Sequence, residues 1–366
     1  MAKRYTAVVV GMGERGKIHL YGLLKNPASF EVAGVCDRHP DRLEAGADEY
    51  GIPKEKRFTD AETMMGTVKP DILAFATMPH IRVPLVELAV KYRVKGLLFE
   101  KPMAVSLNDA AEIVKLCHKN NIKAAVCQQH KYLRSYDRMR EALKSGELGE
   151  IYEIRASCKP NPSMLGTHYI DYMIWANGGS RVKAVAGHVH GNFFLDYHHP
   201  SPDYFLAQMA FENGVRGIIE CGYFSPQRAD YNVGFSYNPD NINYWTDDRL
   251  TVLGTRGYAW AECGGRYACF TGRTAPEIVG GDYGDFVKRE QFEAQIRYTA
   301  DYARWLDGEA EFSCNLDTAY HGFEILEAIY RSALYMTRVD LPLAPAEENT
   351  LALLRQKLGP VAYRKF

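Results

Sequence analysis

The stretch from Tyr5 to Leu24, YTAVVVGMGERGKIHLYGLL, constrains this chain most tightly. Ala7 to Val10 is a short apolar run rich in β-branched valine, as expected of a strand buried on both faces of a parallel sheet. Gly11, Gly13 and Gly16 follow in G-x-G-x-x-G spacing, and His19, Leu20, Leu23 and Leu24 then recur at helical intervals. Strand, glycine turn and helix in that order suit a pyrophosphate. The glycines allow a tight turn, close backbone approach to phosphate and close helix–strand packing, and the helix presents its first N–H groups to the anion. A plain tight turn would use similar residues, so the flanking sequence must decide.

That sequence repeats the alternation. FEVAGVCDRHPDR reads as a second strand ending at Asp37, about twenty residues beyond the third glycine, where a carboxylate accepts from the adenosine ribose hydroxyls and repels a 2′-phosphate. NAD is therefore expected, with NADP as the alternative, because Arg38 beside Asp37 could pair a 2′-phosphate or stack on adenine. KPDILAFATMPH is a third strand ending at Thr77, VPLVELAVKYR a helix, and VKGLLFEKP a fourth strand ending in Glu100-Lys101-Pro102. Strands alternating with helices predict a doubly wound parallel sheet with its ligand at the strand carboxyl ends. The expected cofactor contacts are Gly11, Gly13, Glu14, Arg15, Gly16, Asp37 and Arg38, with Thr77, His80, Glu100 and Lys101 from the later strand ends. Lys101 there reaches a substrate hydroxyl, unless it is a surface lysine paired with Glu100; Pro102 implies a fixed turn.

The chain has 366 residues, more than one core usually serves, so two domains are expected. Lys+Arg at 44 against Asp+Glu at 45 leaves no electrostatic footprint for nucleic acid or an anionic membrane. Eight cysteines without a C-x-x-C pair fit reduced thiols, and Cys263 and Cys269 need not bridge. No apolar run is long enough to span a bilayer, and the run before Gly11 is too short for a secretory signal, so the expected setting is the cytoplasm. Beyond the first third the period changes to two. GEIYEIRASCK, RVKAVAGHVHGNF, YFLAQMAFENGVRGIIECGYF and RLTVLGTRGYAWAECGGRYACF read as strands of a large, open, mostly antiparallel sheet with helices, with a turn at Asn213-Gly214. DYHHPSPDY, with Asp196, His198, His199 and Asp203, reads as a loop, and no metal site is expected.

PSMLGTHYIDYMIWANGG places His168 in a helix-like run, three residues before Asp171 and so on one helix face with it. Taken alone this is more often a core histidine. Together GMGERG, CDR, FATMPH, FEKPMA, SGELGEI and GTHYID resemble the Gfo/Idh/MocA oxidoreductase family, and RWLDGEAEFSCNLDTAYHGFEILEAIYRSA resembles its closing helices. The resemblance covers nearly the whole chain. It implies a Rossmann dinucleotide-binding domain over residues 1–125 and a substrate-binding and oligomerisation domain over 126–366, whose last helices could pack back on the first. It implies a homodimer or homotetramer joined through the open sheet. It also implies an NAD-dependent dehydrogenase of a sugar, inositol or glycoside, with Lys101 and His168 as the acid–base pair. In that family the histidine commonly follows Asp-x-Gly-x; here Met164 holds the aspartate's place, and a thioether cannot titrate. Gln129, His130, Met164 and Asp171 join Lys101 and His168 as expected substrate contacts. Two alternatives stay open: an enzyme that retains NAD and recycles it, as in oxidoreductive glycoside cleavage or sugar–sugar redox exchange, and a non-catalytic regulator that binds NAD or sugar.

Overall fold

The computed structural model describes residues 4–158, 162–191, 194–196, 199–222, 248–272, 285–344 and 349–358. The chain divides into two compact units, one comprising Met1–Tyr132 with Arg289–Tyr320 and the other Leu133–Lys288 with His321–Phe366.

In the first unit β1 (Tyr5–Val10), β2 (Phe30–Cys36), β3 (Arg57–Phe58), β4 (Ile72–Phe75), β5 (Gly96–Phe99) and β6 (Lys123–Val126) form one parallel sheet in the order β3-β2-β1-β4-β5-β6. All residues of β4 and β5 are buried, which is why they read as unbroken apolar runs. Helices α1 (Glu14–Leu24), α2 (Pro40–Glu49), α3 (Ala61–Val68), α4 (Arg82–Lys91) and α5 (Leu107–Lys119) connect them. Strand order reverses between β1 and β4, the switch point beside which such sheets bind ligands. Ser106 caps α5 by accepting from the Asp109 N–H at 3.1 Å, a bond worth about 1 kcal/mol that also ends the loop after β5. The two-residue β3 is too short to show a period in the sequence.

Against an expected division after residue 125, the first unit also takes in 126–132 and 289–320. Hydrogen bonds distant in sequence account for this. Val126 N–H donates to the Cys314 carbonyl at 3.1 Å and Lys131 Nζ to that of Ser313 at 2.9 Å. On α1, Asn26 Nδ2 donates to the Ile296 carbonyl of α8 (Asp285–Leu306) at 3.1 Å. Gly22 lets the two helices meet, since a Cβ there would lie 2.4 Å from Thr299 Oγ1.

In the second unit α6 (Arg134–Ser145) precedes an eight-stranded sheet. Its strands are β7 (Ile151–Cys158), β8 (Val182–His190), β11 (Tyr204–Phe211), β12 (Arg216–Gly222), β13 (Arg249–Gly254), β14 (Gly257–Ala261), β15 (Tyr267–Phe270) and β16 (Val339–Asp340). The order is β15-β14-β13-β7-β12-β11-β8-β16, antiparallel except where β7 lies beside β12. Gly214, at φ +87°, makes the β11–β12 turn at the Asn213-Gly214 site read from the sequence. The expected loop around Asp196 is instead a hairpin of β9 (Phe194–Asp196) and β10 (His199–Ser201), with Asp196 opposite His199; His198 lies outside the described residues. Ile154, Val252 and Ala259 are in register and buried on the face that carries α7 (Thr167–Ala176). Most of α9 (Leu316–Tyr335) and all of α10 (Thr350–Leu358) complete this unit. Among the described residues no helix is long and apolar enough to cross a membrane, and all eight cysteines are free.

Candidate active site

The three glycines of the β1–α1 turn do different work. Gly11 has φ +91°, and a Cβ on it would lie 2.5 Å from the Ala76 carbonyl oxygen; one on Gly16 would overlap the Gly11 carbonyl oxygen at 1.6 Å. A Cβ on Gly13 would meet nothing within 4 Å. Gly13 is also the N-cap of α1 and makes no side-chain capping bond, so open space fronts the first N–H groups of the helix, where an anion is favoured. Asp37, buried at the end of β2, accepts from the Met12 N–H at 2.8 Å and the His39 N–H at 2.9 Å. It braces the glycine turn while keeping lone pairs for further donors, since a carboxylate offers about four acceptor sites. Glu14 and Arg38 are exposed, and Arg38 Nε lies 3.2 Å from His39 Nε2. Turn, open cap and strand-end carboxylate fit a dinucleotide.

At the carboxyl end of β5 the chain gathers charge. Arg15 reaches Glu100 with Nε at 2.9 Å and Nη2 at 2.8 Å, and His19 Nε2 lies 3.0 Å from the same carboxylate oxygen. Gln129, with its amide oxygen turned toward Arg15, accepts from both terminal nitrogens at 3.0 and 3.1 Å. Burial works against the Glu100 carboxylate, yet the Arg15 charge and the His19 hydrogen bond hold it well below the usual carboxylate range. Burial takes Lys101 down to about 8, with Arg15 and Arg82 reinforcing the shift and Glu100 opposing it. Burial, with the Arg15 and Lys101 cations near, takes His130 down to about 3, so it is neutral across the physiological range. The Lys101–Pro102 peptide is cis. His19, Glu100 and Cys127 place ligand atoms within 4.8 Å of one another, but this cluster suits a metal ion poorly. Arg15 already bonds Glu100 and reaches Cys127 Sγ at 3.5 Å, and burial keeps that thiol protonated.

Arg82 opens α4 and is 2% exposed; its Nη2 donates to the Thr77 carbonyl at 2.9 Å and to that of Lys101 at 3.5 Å. One buried guanidinium thus ties the ends of β4 and β5 together. Thr77 Oγ1 is buried without a partner among the described residues, and His80 is exposed.

In the second unit residues Pro162–Gly166 form one π-helical turn leading into α7. The turn is anchored: Ser163 N–H donates to Ser201 Oγ at 3.1 Å, Ser163 Oγ lies 3.1 Å from the Tyr330 hydroxyl, and Thr167 Oγ1 donates to the Met164 carbonyl at 2.7 Å. A Cβ on Gly166 would press on the Phe205 ring at 3.0 Å. Every α7 residue except Trp175 is buried, so the helix is enclosed rather than amphipathic. His168 and Asp171 are 3% and 1% exposed. The hydroxyl of Tyr172, one turn on from His168, lies 3.1 Å from its Nδ1.

The structure thus brings Arg15, Glu100 and Gln129 together, with Lys101 and His130 in the same unit, and places Met164, His168 and Asp171 on one buried segment of the other. Sequence reasoning missed His19, Arg82 and Tyr172. His19 and Tyr172 carried a usable signal, lying three and four residues from Gly16 and His168 on helices; Arg82 carried none, because its partners come from other elements.

Known proteins resemble this chain in both of its parts. A model of the oxidoreductase family with NAD-binding Rossmann fold, GFO/IDH/MocA, matches residues 5–128, and one of the GFO/IDH/MocA carboxy-terminal domain matches 163–260. A D-apiose dehydrogenase of Rhizobium rhizogenes is 32% identical over 85% of this chain and 90% of its own length. A second, from Paraburkholderia graminis, is 24% identical over 62% of this chain and 63% of its own length. Among solved structures, a levoglucosan dehydrogenase with NADH and L-sorbose superposes at a TM-score of 0.75, with 16% identity over 94% of this chain and 100% of that one. An oxidoreductase of Agrobacterium radiobacter with NAD+, L-tartaric acid and magnesium does so at 0.73, with 21% identity over 92% and 98%. With both family models matched and a relative aligned along most of its length, this chain belongs to the GFO/IDH/MocA family of NAD-binding oxidoreductases.

Proposed function

We propose that the protein oxidises a secondary hydroxyl of a sugar, inositol or glycoside with NAD, in the cytoplasm, using Lys101 and His168 for proton handling. The observation that carries the reading is Lys101 at the β5 strand end, brought to about 8 by burial and neighbouring cations. A lysine so placed is still mostly an ammonium at neutral pH, yet acidic enough to share its proton with a developing alkoxide. Relatives bear the matching names D-apiose dehydrogenase, inositol 2-dehydrogenase (Corynebacterium glutamicum) and D-glucoside 3-dehydrogenase (Escherichia coli).

Bound NAD supplies the hydride acceptor. Gly13 and the first N–H groups of α1 would hold its pyrophosphate, and Asp37 its adenosine ribose. In this reading His168 would take the hydroxyl proton and Lys101 would donate a hydrogen bond to the developing alkoxide, the alcohol becoming a carbonyl as its hydride leaves for the nicotinamide. His130 is too weak a base for that role. Gln129, Met164 and Asp171 are the further residues proposed to contact substrate.

Lys101→Ala and His168→Ala should each lower kcat by about a hundredfold or more, the usual range for a lost acid–base group, with NAD affinity near normal by calorimetry. NADH should accumulate with a polyol or glycoside panel; turnover without accumulation would point to the self-recycling alternative, and NAD binding with no turnover to a regulator. A higher kcat/KM with NADP would overturn the role of Asp37. The outer sheet face, which bears Ile218, Leu253, Tyr258, Trp260 and Phe270, we assign to a homodimer or homotetramer interface. Light scattering at the monomer mass would refute that assignment.

A further inference from the structure

Met164 leaves open what fixes the orientation of His168. In a proton-transferring histidine one ring nitrogen works on substrate while the partner of the other sets the tautomer. Here Nδ1 meets the Tyr172 hydroxyl at 3.1 Å, one helical turn along, with ring centroids 5.7 Å apart.

Resting on the dehydrogenase reading above, we infer that Tyr172 is a positioning residue of His168, accepting from Nδ1–H and so assigning proton exchange with substrate to Nε2. Tyr172 is fully buried, and its ring is set edge-on to Tyr136 and Tyr169 at 5.1 and 5.2 Å. Those two are anchored in turn, the Tyr136 hydroxyl donating to that of Tyr169 at 3.4 Å and both standing near Cys263 Sγ at 3.9 and 3.6 Å. Burial raises the Tyr172 phenol well above its ordinary value, so it stays neutral. A neutral phenol oxygen accepts from Nδ1–H before and after proton uptake without adding a negative charge. The substrate hydroxyl proton passes to Nε2, while the Nδ1–H···O bond persists throughout.

The test is Tyr172→Phe, which keeps the ring packing and removes the hydroxyl. In protein carrying 15N-labelled histidine rings, with the His168 signals identified by their loss in His168→Ala, wild type should show His168 protonated on Nδ1 in the absence of NAD and substrate. Tyr172→Phe should move that signal toward the Nε2–H tautomer and lower kcat about tenfold, the scale of one lost hydrogen bond, with KM and NAD affinity within twofold. An Nε2–H tautomer in wild type overturns the inference even if the variant does not fold. An unchanged spectrum and kcat in Tyr172→Phe, with His168→Ala inactive, overturns this inference alone; an active His168→Ala overturns the functional reading itself.

Discussion

Beside Lys101 the structure sets the charges of Arg15, Arg82 and the Glu100 carboxylate, whereas against Nδ1 of His168 it sets the phenol of Tyr172, itself packed on Tyr136 and Tyr169. Charge acts over several ångströms and moves a pKa, but each member of a buried cluster depends on the others. A neutral hydroxyl barely moves a pKa, yet it fixes which nitrogen faces which way. The lysine is tuned and the histidine is aimed.

The strongest way to break this contrast is Glu100→Gln. It leaves Arg15 without its counter-charge, and unfolding should become easier by about 3–5 kcal/mol, the usual cost of removing one partner of a buried pair. Because Glu100 is depressed in the folded state, its stabilisation is complete above the ordinary glutamate range and is lost as pH falls below it. Urea titrations should therefore separate variant from wild type most at neutral pH and converge in acid; a constant gap would show that charge is not what holds the cluster.

Arg82→Met sharpens the electrostatic half. If the ammonium form of Lys101 is needed, activity falls as pH rises through about 8. Loss of the Arg82 charge should move that alkaline limb upward by about half a unit to one unit. A limb that stays in place would reduce Arg82 to a tie between the Thr77 and Lys101 carbonyls. Smallest of all, Met164→Leu should change kcat less than twofold, because it conserves volume and removes no titrating group. A large loss would mean that the thioether itself takes part, and that the hydroxyl of Tyr172 is not the whole answer.

Much of the first unit was legible because its logic is local. A glycine turn, a strand-end Asp37 and the Glu100-Lys101-Pro102 tripeptide each announce themselves within a few residues. The antiparallel strands were equally readable from period-two alternation, and Asn213-Gly214 marked a turn. The π-helical turn at Pro162–Gly166 was hidden, since a widened turn has no compositional sign and its anchors, Ser201 and Tyr330, lie far along the chain. Arg82, just ahead of the helix read as VPLVELAVKYR, carried no sign because its two carbonyl partners belong to separate strand ends. Tyr172 passed for a core aromatic, and only its hydroxyl distinguishes it from one.

The way Arg289–Tyr320 completes the first unit bears on how the chain is made. Tyr5 donates to Asp307 at 2.6 Å, Tyr302 stacks on Phe30, and Lys123 Nζ reaches the Trp305 carbonyl at 2.5 Å. A ribosome adding about 5–20 residues per second delivers those partners on the order of ten to thirty seconds after Tyr132 has emerged. Through that interval the nascent parallel sheet has an uncovered flank, and a fragment cut after Tyr132 would keep it uncovered permanently. The first unit is begun at once but cannot finish folding until the chain has been made as far as Tyr320.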